Sequence, residues 1–479
     1  MNTHFRLLEN SSKGKLVRQI SKWTIHLTLI SIVFVWFPQS LNAKTFQKTA
    51  TKYQNVSVRM EIRGNVVSTP AETADEQENS NANVVPMKIK ADFNYEELVQ
   101  ESASGIRSVR YYDECAANID INGKASKSIL PDANRYVLFN RIIKKNVVDR
   151  VAIASLQSRL TQKQWQLIDI PGNSMIVDQL IAGKELEEGK AWEPNAEVLA
   201  DILLLDSIEE SNIEIKVTNV RGKLATISLF GNVNGVADDA SCGVRVTGKL
   251  VANRTTKRVE SVELTIRHKK DEGQVGPGFD VLIKIEADIT PRNAPDRLTK
   301  SNITKIRGHR SISSDLILES PLKTIQFVHD RRWRSVINSP ELMVLRLLDD
   351  GQVLGQCNVI PMPRLGEADD YTIEDFKKNV QQAVGESGQL TDSRARKTTS
   401  GNRIFEVEVT GEQSGVPLTW IYYHVSQSNG LRAMCIITTE SELIDSVRGT
   451  ELKLIDSLLI RSADEARQAR EADETIRSR

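Results

Sequence analysis

Over long stretches of this chain every second residue is apolar, and that alternation confines most of it to antiparallel strands with one dry face. Val56, Val58, Met60 and Ile62 alternate with Ser57, Arg59, Glu61 and Arg63. Residues 68–86 (STPAETADEQENSNANVVP) are polar and of low complexity, a loose hairpin loop. Met87, Ile89, Ala91 and Phe93 then alternate with Lys88, Lys90 and Asp92. The pattern returns at Ile213, Ile215 and Val217, at Val262, Leu264 and Ile266, and at Val281, Ile283 and Ile285. Between them, over 155–205, the period becomes helical. Thr161 and Gln164 have capping-box spacing, Asn173 or Ser174 can cap a second helix, and Asn195 can start a third. Strands, helices and strands in that order predict, for 45–290, a curved antiparallel half-barrel wrapped over a helical insert.

Residues 291–319 read as a linker. Beyond it, Asp349-Asp350-Gly351 is a hairpin turn signal, and Thr372 with Asp375 caps a helix whose Ile373, Phe376, Val380 and Val384 share one face. Strands at 403–411, 417–426 and 431–439 and a closing helix over 441–459 complete a second domain, 320–461. Residues 462–479 are a mixed-charge tail, and the chain shows no internal repeat.

The first 43 residues have the order of a secretory signal peptide. Arg6, Lys13, Lys15, Arg18 and Lys22 oppose one acid, Glu9; an apolar run follows over 23–37, then Pro38 and a small residue, Ala43, before Lys44. The run is shorter than the roughly 20 residues of a membrane span. The expected cut lies between Ala43 and Lys44, and an uncleaved N-terminal anchor is the alternative and the one route to membrane contact. The n-region lacks an Arg-Arg pair, which favours the general secretory route, and no cysteine precedes Cys115 to take a lipid. The expected location is periplasmic or extracellular. Residues 1–43 hold five of the 63 basic and one of the 63 acidic residues, which leaves the remainder four charges negative. Such a balance gives no reason to bind nucleic acid.

Four cysteines remain: Cys115, Cys242, Cys357 and Cys435. Cys357 and Cys435 lie in strand-like runs of the second domain and form the candidate disulfide, with buried free thiols as the alternative. The histidines His268, His309, His329 and His424 are widely separated, so no zinc-ligand spacing exists, and no C-x-x-C, G-x-S-x-G or phosphate-loop motif occurs. Residues 273–278 (GQVGPG) read as a turn, since Pro277 removes an amide donor. His329, Arg331 and Arg332 are a candidate anion patch, weighed against a solvated strand edge. His424 shares a strand face with Trp420 and Tyr422, a pocket lining or plain sheet packing. No cofactor, metal or catalytic group is expected.

Two resemblances add to this reading. Residues 327–333 (FVHDRRW), 355–358 (GQCN), 417–423 (PLTWIYY) and 430–439 (GLRAMCIITT) resemble the PsbP-like α/β sandwich of DcrB-type exported proteins. That resemblance implies a non-enzymatic domain that assists or binds envelope or membrane components. The order of elements over 45–290, with residues 189–194 (GKAWEP), is similar to the half-barrels of LolA-type lipoprotein carriers, which hold acyl chains in a concave face. No ligand-contacting residue transfers individually. The expectation is therefore an α+β protein, a half-barrel followed by a PsbP-like α/β sandwich. Its role would be to bind a lipid or other apolar ligand, or an envelope protein partner. A structural or assembly module is the rival, and an enzyme comes third.

Overall fold

The computed structural model describes residues 50–68, 83–102, 104–144, 147–148, 151–308, 311–349, 351–366 and 371–477. The expected signal peptide, the cut at Ala43 and Lys44, most of the 68–86 loop, His309 and Asp350 lie outside the described residues. Two compact units are present, residues 50–317 with 348–352, and residues 318–347 with 353–477.

The first unit is built on one 14-stranded sheet. Its strands are β1 (Ala50–Ser68), β2 (Asn83–Ser102), β3 (Gly105–Ile121), β4 (Lys124–Ile129), β5 (Tyr136–Lys144), β6 (Val147–Val148) and β7 (Ala152–Ser155), followed by β8 (Ala191–Trp192), β9 (Ser207–Ser211), β10 (Glu214–Arg221), β11 (Leu224–Ala237), β12 (Ala240–Asn253), β13 (Arg258–Lys270) and β14 (Gly278–Arg292). The order is β6-β5-β3-β2-β1-β14-β13-β12-β11-β10-β8, with β4 beside β3, β7 beside β5 and β9 beside β11. Two up-and-down runs, β1 to β7 and β8 to β14, are thus joined by the single antiparallel seam of β1 on β14.

Helices α1 (Gln162–Ile168), α2 (Ser174–Val177) and α3 (Ala196–Leu203) pack on the apolar face of this sheet. Their starts are fixed by side chains that satisfy otherwise orphaned amides. Thr161 and Gln164 close a capping box, Asn173 caps α2 and Asn195 caps α3. Residues expected as linker are folded instead. Strand β14 runs to Arg292, and α4 (Lys300–Arg307) starts from a Thr299 cap. The Glu96 carboxylate accepts the amides of Asp296 and Arg297 at 2.7 and 2.6 Å, which ties this segment down on β2.

The second unit holds a three-stranded sheet of β15 (Leu316–Glu319), β16 (Ile325–His329) and a late strand, Leu459–Ile460. Its seven-stranded sheet comprises β17 (Trp333–Asn338), β18 (Met343–Asp349), β19 (Gln352–Met362), β20 (Gly388–Lys397), β21 (Arg403–Gln413), β22 (Val416–Ser426) and β23 (Arg432–Glu440), in the order β17-β18-β19-β23-β22-β21-β20. Helix α5 (Ile373–Val384), capped by Thr372 and Asp375, buries Phe376 and Val380 on one face. Helices α6 (Ile444–Val447) and α7 (Thr450–Asp456) cover the other.

This architecture corrects the expected α+β class, the half-barrel-plus-sandwich description included. Among the described residues strand makes up 56% and helix 18%, and one large antiparallel sheet dominates. The physical reason is length. The helices described up to α7 run only 4 to 12 residues, too short to form a layer equal to strands of up to 20. The closing helix expected over 441–459 is broken at Gly449, whose φ of 89° lies in the left-handed region that ends a helix, and Leu459 belongs to a strand. The tail forms helix α8 (Ala463–Arg477), opened by Ser462 with Glu465.

Candidate functional site

The apolar face of the 14-stranded sheet begins with charge. Gln54, Glu97 and Arg110 stand directly opposite one another on β1, β2 and β3. Arg110 Nε donates to Glu97 Oε1 at 2.8 Å, and Ser108 Oγ donates to the same oxygen at 2.6 Å. Gln54 Nε2 and Ser174 Oγ donate to Oε2 at 2.6 and 2.7 Å. Arg110 also reaches Asn173 Oδ1 at 2.5 Å, and its guanidinium lies 3.9 Å from the Phe139 ring centre. Glu97 and Arg110 are 0% and 1% exposed. Burial alone would raise the Glu97 pKa, but Arg110 and the hydroxyl donors outweigh it and hold the carboxyl below its ordinary range. Asn173 and Ser174 open α2, so the pair pins the helical insert to the sheet. Losing one partner of such a pair costs about 3–5 kcal/mol. Enclosed on all sides, the cluster reaches no substrate. Its role is to position the insert.

Away from that lock the cover thins. Along the inward positions of β1, Val56 and Val58 are buried while Met60 and Ile62 are half-buried. Strand β2 repeats the gradient from Tyr95, Phe93 and Ala91 to half-buried Ile89 and Met87. Strand β3 goes from Tyr112, Cys115 and Ala117 to half-buried Ile119 and then Ile121, 40% exposed. Register aligns these positions into rows. Ile62, Ile89 and Ile119 face one another across three strands, and Gly64, Met87 and Ile121 form the next row. Strand β4 adds Ser126 opposite Ile119 and Lys124 opposite Ile121, a polar rim. On β1, β2 and β3 the two rows are free of ionisable groups, while the second continues to Lys124 on β4 and through Val281 to His268 on β13. The nearest thiol, Cys115, is pushed up to about 12 by burial and stays protonated. Two unbranched methionines, Met60 and Met87, border the Ile62–Ile89–Ile119 row and adapt readily to varied apolar shapes. The arrangement offers apolar surface along three strands.

The other residues singled out from sequence are dispersed. Cys357 and Cys435 lie on neighbouring strands and enter one core, but the register sets Cys357 opposite Ile437 and Cys435 opposite Val359. They are diagonal neighbours and free thiols, which corrects the candidate disulfide. His329 is buried at the end of β16, and its Nδ1 lies 2.9 Å from the Asp330 carbonyl. Arg332 is paired with Asp330 at 3.3 Å, and the Arg331 carbonyl accepts from Arg334. The candidate anion patch thus carries its own carboxylate. His424 lies within a ring cluster, 4.8 Å from Tyr371, 5.7 Å from Phe376 and 5.8 Å from Phe405. In the GQVGPG turn the amides of Gln274 and Val275 do cradle an anion, but it is the Asp239 carboxylate. Among the described residues no group of three or more His, Cys, Asp or Glu is placed to hold a metal. An open depression of about 340 Å³ is lined mostly by charged residues, among them Glu185, Lys223 and Arg254, with Leu186 beside them.

Sequence reasoning missed the Glu97 lock. The signal was present: stepping by two from Phe93 reaches Tyr95, Glu97 and Val99, which puts a carboxylate on the dry face. Its partner was hidden by a bulge between Asn94 and Tyr95, against which Asp113 and Glu114 both turn outward and break the alternation of β3.

No protein-family model matches the chain, and no curated protein matches it. Among solved structures it aligns with OccK2 (OpdF) of Pseudomonas aeruginosa at 8% identity, covering 81% of this chain and 96% of that one, with a TM-score of 0.11. A BenF-like porin from Pseudomonas fluorescens Pf-5 aligns at 8% identity, with coverages of 81% and 97% and a TM-score of 0.12. The translocator domain of the autotransporter NalP from Neisseria meningitidis gives 8%, 82% and 89%, and a TM-score of 0.08. Scores of this size assign neither fold nor function. Among the described residues no helix is long and apolar enough to cross a membrane, which says nothing of crossing by strands.

Proposed function

We propose that this chain is an exported, non-enzymatic binding protein of the cell envelope, and that its ligand is apolar and sits on the uncovered end of the β1–β2–β3 inner face. One observation carries the reading. Two consecutive apolar rows, Ile62–Ile89–Ile119 and Gly64–Met87–Ile121, continue the core and are only half-buried, with Ile121 40% exposed. Such a surface binds by removing apolar area from water, at roughly 25 cal/mol per Å². An acyl chain or the apolar face of a partner segment has the matching chemistry. Export rests on the basic, apolar and small-residue order of residues 1–43.

The test is Ile89→Glu, which puts a charge in the middle of the first row while leaving the Glu97 lock untouched. Wild-type protein is expected to carry acyl species detectable by mass spectrometry, or to bind a fluorescent apolar probe, and the variant to bind at least about tenfold more weakly. Wild-type protein that carries no such species and binds no probe would sink the proposal. In-envelope cross-linking from position 121 tests the rival assembly role, which requires a stoichiometric protein partner at that spot.

A further inference from the structure

The outer face of the same sheet has an arrangement that hydrophobic packing does not require. Register places Lys88 of β2 opposite Arg63 of β1, Arg63 opposite Leu282 of β14, Leu282 opposite Arg267 of β13, and Arg267 opposite Arg245 of β12. Four basic side chains thus stand in one five-strand row, spanning about 20 Å at the usual strand spacing. Lys90 and Lys284 lie in the adjoining row, and Lys269 beyond Arg267. All are exposed. Glu61 pairs with Arg63 at 2.6 Å and Asp280 with Arg267 at 3.0 Å. The register also sets Glu61 between Lys90 and Lys284, Asp120 opposite Lys88 and Asp280 opposite Lys269, so seven cations share three acids and the band stays net positive. Lys88 against Arg63 and Arg267 against Arg245 are like charges set directly opposite, an arrangement that destabilises a sheet. Leu282 within this band, 39% exposed, and Phe230 at its edge on β11, 52% exposed, face water, and the Arg245 guanidinium lies 5.7 Å from the Phe230 ring centre.

We propose that this outer face, β2-β1-β14-β13-β12 with Phe230 of β11, docks on an anionic lipid bilayer. The charges form a spread lattice without a bidentate cradle, which suits many mobile negative headgroups better than one fixed ligand. Leu282 inside the basic band and Phe230 at its edge have the character of side chains that enter the boundary between headgroups and acyl chains. A nucleic acid would also meet the charge, but it would leave the aliphatic Leu282 without a role. The negative field of the bilayer offsets the repulsion of the opposed cations. This inference does not depend on the inner face holding an apolar ligand.

The experiment compares co-sedimentation of the exported form, with whatever N-terminus export leaves, on equimolar phosphatidylglycerol–phosphatidylcholine vesicles and on pure phosphatidylcholine vesicles. The variant combines Lys88→Glu, Arg245→Glu and Lys284→Glu, and a companion carries Gln at the same three positions. Expected results are binding to the anionic vesicles that falls with added salt, and at least about tenfold loss in the Glu variant. Phe230→Ala should weaken binding without changing its salt dependence. Equal wild-type binding to both vesicles, no binding to either, or unchanged binding by the Glu variant overturns the proposal. So does charge-dependent binding to DNA without binding to vesicles. Should the Glu variant fail to fold, the Gln companion decides: retained anionic binding overturns, loss supports. Apolar-probe binding measured on the same samples separates failure of this proposal from failure of the inner-face site.

Discussion

His424 sits where a proton is costly. Burial, then the charges of Arg432 and Arg403, push its pKa down from 6.5 to about 3. A histidine depressed in the folded state leaves stability whole above its unfolded value and withdraws it as pH falls toward the folded one. At pH 5 the loss amounts to about 2 kcal/mol. His424→Phe, which suits a ring cluster of Tyr371, Phe376 and Phe405, should therefore lose about 2 kcal/mol less than wild type between about pH 7 and pH 5, read by denaturant unfolding at each pH. Equal slopes would refute the assignment. His268, lowered to about 4 mainly by burial, keeps a dependence of the same sign and nearly the same size over that range in both proteins. At this scale the sequence could place His424 beside Trp420 and Tyr422 on one strand, since alternation alone decides that. It could not show α5 folding over them to exclude water, because that depends on contacts distant in the chain.

Among elements, helix starts were the most legible, because a cap is a local hydrogen bond between residues three apart. Thr161 Oγ1 accepts from Gln164 N at 3.2 Å and Gln164 Oε1 accepts from Thr161 N at 2.9 Å. Thr161→Ala should cost about 0.5–2 kcal/mol of stability, and hydrogen exchange should quicken first at the amides of Gln162 to Trp165. No change in their exchange would mean that packing of Trp165 and Ile168, and not the cap, holds α1. Strands were legible only where one face is wet. Strand β1 shows its alternation plainly. The second half of β2 is covered on both faces, with Leu98 under α4 and Glu97 under the insert, and so reads as no clean period. The closing segment misled in the opposite way. Leu443, Val447, Leu452 and Ile455 keep a helical spacing that Gly449 interrupts, and spacing carries no trace of a single reversed φ.

Across the whole molecule, class was the least legible level. Capping signals made the helices conspicuous in the sequence, while strands such as β3, β5, β11 and β12 announce themselves weakly yet supply most of the mass. Both units bury their cysteines. Burial raises the thiols of Cys115 and Cys435 to about 12, Cys242 to about 11 and Cys357 well above its ordinary value. A thiol reagent should accordingly find none in the native protein and all four after unfolding without reductant. Two instead of four would restore a Cys357–Cys435 bridge. The seam of β1 on β14 has a kinetic consequence. Arg59 and Glu286, which meet across it, are 227 positions apart. The earliest strand to emerge must wait, one flank bare, for the last strand of its unit, and so long a closure makes folding slow. During that wait a nineteen-residue ribbon is open to mispairing with its like. Until its far partner arrives, that ribbon keeps one edge unpaired.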